Sequence, residues 1–118
     1  MPFIVVEGDP FVRADISEAL AEEFPSEDVV MLESVEELDG HRTRPSADTV
    51  LIVSTNEQET LPALPDPFDK SRTVFIVDHS DLLIPAPDNQ AYLQRPFSSA
   101  TLIAAVRTVL FDPPEGRS

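Results

Sequence analysis

Four short apolar runs, FIVV (3–6), VVML (29–32), VLIV (50–53) and VFIV (74–77), constrain this chain more than any other feature. Each is too short for a helix, rich in Val or Ile, and apolar at successive positions rather than at alternate ones. Strands covered on both faces read this way, and they belong to parallel sheets flanked by helices. Enough chain separates successive runs for the crossover that a parallel pair requires. A weaker fifth run, AYLQ (91–94), precedes Arg95-Pro96.

The segments between the runs are of uneven helical quality. In the first, Asp9 is placed to cap a helix and Pro10 occupies its first position, where a missing N–H costs nothing. Val12, Ile16, Leu20 and Phe24 follow as an i, i+4 stripe, and Pro25 stops the helix. The last segment is equally clear: Ser98 or Ser99 caps a helix whose stripe is Leu102, Ile103, Val106, Val109 and Leu110. SVEELDG (34–40) offers about two turns at 3.6 residues each. The third and fourth crossovers carry Pro62, Pro65 and Pro67, then Pro85 and Pro87. Interior proline costs a helix about 3 kcal/mol, so these helices are expected to be shortened. The pattern predicts an α/β domain over residues 1–111, a five-stranded, doubly wound parallel sheet. Residues 112–118 are read as a polar tail or the start of a linker.

Composition narrows the function classes. The 118 residues favour one domain, and 42% hydrophobic content suffices for a core. Without Cys, the chain has no disulfide framework, thiol chemistry or Cys-based metal site. The apolar runs fall far short of a membrane span, and MPFIVVEGD lacks the basic start and long apolar stretch of a secretion signal. A cytoplasmic location is expected. The net charge of −14 repels phosphate backbones and anionic lipid, so neither nucleic acid nor membrane is an expected partner. A solvated acidic surface that keeps the protein soluble explains the same charge.

In open parallel sheets, ligands sit beyond the carboxyl ends of the strands. The loops to weigh are therefore 7–10, 54–56, 78–80 and 95–97. Taken in order, VVEGDPFVR (5–13), ADTVLIV (47–53), TVFIVDH (73–79) and AYLQRPF (91–97), followed by a capped amphipathic helix, resemble the receiver domain of bacterial response regulators. The resemblance spans roughly residues 3 to 110 and rests on order and spacing, with the Tyr-Leu-x-basic-Pro-Phe stretch its most specific part. It implies the strand order 2-1-3-4-5.

In that family an acidic pair after the first strand holds Mg²⁺, and an Asp ending the third strand accepts a phosphoryl group. A hydroxyl residue ending the fourth strand and a Lys before the fifth strand's Pro contact that group. Carried over by position, the acidic pair falls on Glu7 and Gly8, with Asp9 next to them. The acceptor falls on Val53, or on Ser54 if the register slips by one. The hydroxyl position falls on Asp78 and the Lys on Arg95. Phosphoryl transfer to a receiver needs a carboxylate nucleophile beside a hard cation. Val53 supplies no nucleophile, Gly8 no ligand, and Asp78 adds repulsion where phosphoryl oxygens would sit.

The resemblance therefore implies an atypical receiver-like domain that is not an enzyme, takes no cofactor, and acts as a protein-interaction module. Its partner would be a signalling kinase, a phosphotransferase, an output protein or a second copy of the chain. The vestigial switch pocket comprises Glu7, Asp78, Tyr92, Arg95 and Pro96, and the partner face draws on Leu82, Leu83, Ile84 and Tyr92. Arg95 is expected either to pair with Asp78 or Glu7 in place of the lost charges, or to make solvated contacts worth little. The Arg95–Pro96 bond matches one usually cis in the family. Tyr92 has a second reading, an edge-strand ring packed on Pro96 or the final helix.

Two alternatives stand beside this one. The first is phosphorylation at an unconventional residue: Ser54, Asp78 or Asp9. The second is a small carboxylate-metal phosphatase, because Glu7-Gly8-Asp9 resembles the acidic loop of haloacid-dehalogenase-like phosphatases. That loop needs Asp where Glu7 stands. His41 and His79 have no partner at ligand spacing and are read as loop residues.

Overall fold

A computed structural model of the chain describes residues 3–34, 36–40, 49–54, 71–77, 90–94 and 97–110. The elements in chain order are β1 (Phe3–Val6), α1 (Pro10–Glu23), β2 (Val29–Leu32), α2 (Glu36–Gly40), β3 (Val50–Ser54), β4 (Arg72–Val77), β5 (Gln90–Gln94) and α3 (Ser99–Leu110). The five strands form one sheet in the order β2-β1-β3-β4-β5, every neighbouring pair parallel. Each apolar run became a strand. The strand β4 begins two residues ahead of its run, at Arg72, because β-branched Thr73 extends the pleat. Its buried hydroxyl donates to the Ser71 carbonyl at 2.9 Å, so the extension leaves no polar group stranded.

Side chains alternate across a strand, and the sheet accordingly has two cores. On one face Phe3, Val5, Val50, Ile52, Val74 and Ile76 pack with Ile16, Ala19 and Leu20 of α1 and Leu102, Val106 and Val109 of α3. On the other, Ile4, Val6, Leu51, Val53, Phe75 and Val77 pack with Leu38 of α2. Helices therefore flank both faces. Full burial of each such side chain contributes about 1.5–3 kcal/mol. The central strands β1 and β3 are buried almost throughout, whereas Val29, Val30 and Met31 of the edge strand β2 are half-buried.

Local signals explain the helix ends. The Asp9 carboxylate accepts from the N–H groups of Phe11 at 2.8 Å and Val12 at 3.4 Å, and Pro10 opens α1. The helix stops at Phe24, whose N–H still reaches the Leu20 carbonyl at 2.7 Å, because Pro25 cannot continue it. Ser98 is the cap of α3: its Oγ accepts from Thr101 N–H at 3.2 Å while its own N–H donates to Thr101 Oγ1 at 2.9 Å. This reciprocal pair is a capping box with Thr in the acidic position. The two long helices are joined at their ends, where Arg107 donates to Glu23 and lies 5.9 Å above the Phe24 ring.

SVEELDG yields a shorter helix than its length offers, since α2 begins at Glu36, and its hold on the sheet is Leu38. The expected proline-shortened third and fourth helices, and the tail 112–118, lie outside the described residues. Among the described residues no helix is long and apolar enough to cross a membrane.

Candidate functional site

The strand register decides what meets at the carboxyl edge. Val6 pairs with Val53, so the next residues along, Glu7 and Ser54, stand level on adjacent strands. Alternation puts Val53 on the α2 face and Ser54 on the α1 face. Val53 is fully buried against Ile4, Val6, Leu51, Phe75 and Val77. Neither candidate acceptor position therefore carries a carboxylate: one is sealed in an apolar cluster, the other is a half-buried hydroxyl.

Glu7 is 7% exposed and engaged at every polar group. Its N–H donates to the Leu32 carbonyl at 2.9 Å and its carbonyl accepts from Arg13 Nη1 at 3.0 Å. Its Oε1 accepts from the Ser54 hydroxyl, and its Oε2 from the Asp9 N–H at 2.9 Å. Burial of a carboxylate is tolerated when its oxygens are hydrogen-bonded. Here the bonds reach β3, the β1–α1 loop, the first turn of α1 and β2, so Glu7 acts as a clamp across the edge.

Arg13 and Glu33 belong to this clamp, although neither stands out as a site residue in the sequence. Arg13 Nη1 also lies 3.7 Å from Glu33 Oε2. Helical side chains lean toward the N-terminus, so an Arg one turn into α1 can reach back over the loop that precedes the helix. That lean was the available signal. Gly8 is exposed, and a Cβ there would meet the Glu33 carbonyl at 3.6 Å, an ordinary contact. Packing does not require glycine at the position where the resemblance would put a second acid.

Tyr92 is half-buried, with its ring 6.3 Å from that of Phe75 at an interplanar angle of 46°. This contact lies on the face opposite α3, so of the two expected neighbours the final helix is not the one the ring meets, and the other, Pro96, lies outside the described residues. The contact arises because Tyr92 and Phe75 are register partners on β5 and β4. Asp78, Arg95, Pro96, Leu82, Leu83 and Ile84, together with the Arg95 ion pair and the Arg95–Pro96 bond, lie outside the described residues. Among the described residues no three acids or histidines converge as a metal-binding group.

Fold and edge together define an α/β protein with a doubly wound parallel sheet in flavodoxin-like order, with a hydrogen-bonded glutamate linking β1 to β3 at its carboxyl edge. No protein-family model matches the chain, and no curated protein matches it.

Proposed function

We propose that the chain is an atypical receiver-like domain of bacterial two-component signalling, cytoplasmic, without a phosphoacceptor, and acting as a protein-interaction module. The observation that carries the reading is Val53, aliphatic and fully buried where the resemblance puts the acceptor. The strand order β2-β1-β3-β4-β5 supports it as well. So does Glu7, whose carboxylate oxygens accept from Ser54 and Asp9 rather than standing open. A group held by protein donors can keep the loops in one arrangement without a metal ion.

The test is incubation with acetyl phosphate and Mg²⁺, read by intact mass. The expected result is an unchanged mass. An added phosphoryl group would overturn the reading in favour of an unconventional acceptor, and fragmentation would assign it among Ser54, Asp78 and Asp9. Phosphate release from p-nitrophenyl phosphate would instead favour the small phosphatase.

A further inference from the structure

Among the described residues, no strand pairs with the outer edge of β2. Its inner neighbour β1 takes the carbonyls of Asp28 and Leu32, which accept from Phe3 and Glu7 N–H at 2.8 and 2.9 Å. In a parallel ladder alternate residues bond to the same side. Val29 and Met31 therefore turn their N–H and C=O groups away from the sheet, and among the described residues these groups have no partner. At the end of the row, Glu33 N–H is taken by the Glu37 carboxylate at 3.4 Å, which stops the open stretch at Met31.

Open edges are usually guarded by Lys, Pro or a bulge. β2 has none of these: its sequence is VVML, its pairing with β1 is regular, and Val29, Val30 and Met31 are half-exposed on both faces. The guard is acidic instead. Glu27 and Asp28 precede the strand, and Glu33, Glu36 and Glu37 follow it, within a chain of net charge −14. Two copies pairing edge to edge would bring these acids together, so the rim opposes self-association and attracts an oppositely charged strand.

We propose that the outer edge of β2 is a docking site for an extended peptide segment with a short β-forming centre and basic flanks, added to the sheet as a sixth strand. The pairing is β-augmentation: main-chain bonds to Val29 and Met31 supply the register, the half-exposed side chains of Val30 and Met31 meet alternate side chains on the two faces, and the acidic rim selects Lys or Arg at the ends. The site lies at the opposite side of the sheet from the face around Tyr92, and it does not rest on the receiver reading.

The test uses the full chain and three labelled peptides: alternating Val and Thr with two Lys at each end, the same with Glu ends, and the Lys peptide with Pro in its centre. Fluorescence anisotropy should show binding of the first, weakened roughly tenfold between low salt and 0.3 M salt as the flanking charges are screened. The Glu-ended peptide should not bind. The Pro-centred peptide should bind at least about tenfold more weakly, because it cannot complete the ladder. Amide exchange at Val29 and Met31 should slow when the first peptide is present. Equal binding of the Pro-centred peptide, or unchanged exchange at these two amides, would show charge attraction alone and overturn the proposal. So would a dimer formed through β2 without peptide. Failure here leaves the mass measurement of the preceding section unaffected, so the two readings fall separately.

Discussion

Replacing Val53 by Asp restores the acid that the resemblance expects, and the surroundings set its cost. Val53 is fully buried among aliphatic and aromatic side chains. Losing its burial costs about 1.5–2 kcal/mol. Burial raises a carboxyl's pKa above the usual carboxylate range, by roughly 3 units or more for a fully buried group. Because the folded state then holds the proton more tightly than the unfolded one, the variant loses stability as pH rises from about 4 to about 7. At about 1.36 kcal/mol per unit, the ionisation cost is about 1.5 kcal/mol at pH 5 and about 4 kcal/mol at pH 8. A chain of this length has roughly 6–18 kcal/mol of stability, so a loss near 6 kcal/mol at pH 8 approaches the lower limit. Urea midpoints at pH 5 and pH 8, with Val53→Asn as the uncharged control, should therefore show a pH-dependent gap of about 2.5 kcal/mol for Asp and little for Asn. A variant as stable at pH 8 as at pH 5, or one that Mg²⁺ rescues, would refute the reasoning by showing that position 53 opens onto water and a cation site.

Ser54→Ala removes a donor to a buried carboxylate and should cost about 1.5–3 kcal/mol in urea unfolding, since hydrogen bonds to charged groups are the stronger kind. Asp9→Ala should cost about 1 kcal/mol through loss of the α1 cap, whereas Asp9→Asn should stay within a few tenths of wild type in thermal melts. Leu38→Ala should cost about 2–4 kcal/mol and raise hydrogen exchange in α2 above that in α1, because Leu38 is the side chain that α2 places in the second core.

What the sequence disclosed follows from what its patterns depend on. The strands β1 and β3 were legible because burial on both faces leaves a continuous apolar run, and α1 because Asp9-Pro10 and the Val12-Ile16-Leu20-Phe24 stripe agree with each other. β4 exceeds its apolar run by two residues because Thr73 is polar in composition yet β-branched in shape, and its hydroxyl finds the Ser71 carbonyl. The strand β2 looks like the others in sequence but lies at the edge; half-burial is a consequence of strand order, which no single run encodes. The clamp was only partly visible. Glu7 was singled out from the loop it ends, but its link to Ser54 depends on the Val6–Val53 register across a separation of 47 residues. The links to Arg13 and Glu33 depend on how side chains lean from α1 and where β2 ends. The Phe75 contact of Tyr92 is not legible in the sequence, because the strand pairing that sets the two rings side by side is tertiary information.

The clamp also bears on whether this edge can switch. To move the β1–α1 loop away from β3, the chain must give up the Ser54 hydroxyl and Asp9 N–H bonds to the Glu7 carboxylate. The Arg13 bond to the Glu7 carbonyl restrains the same loop. Two charge-assisted bonds at about 1.5–3 kcal/mol net each and one further bond at about 1 kcal/mol hold the displaced arrangement at least about 4 kcal/mol above the observed one. That corresponds to a population of roughly one in a thousand. A ligand could shift such an equilibrium only by binding the displaced arrangement better by a comparable free energy. The β1–α1 loop therefore favours a single arrangement against β3, whereas strand pairing at the outer edge of β2, as proposed above, would leave the Glu7 bonds in place.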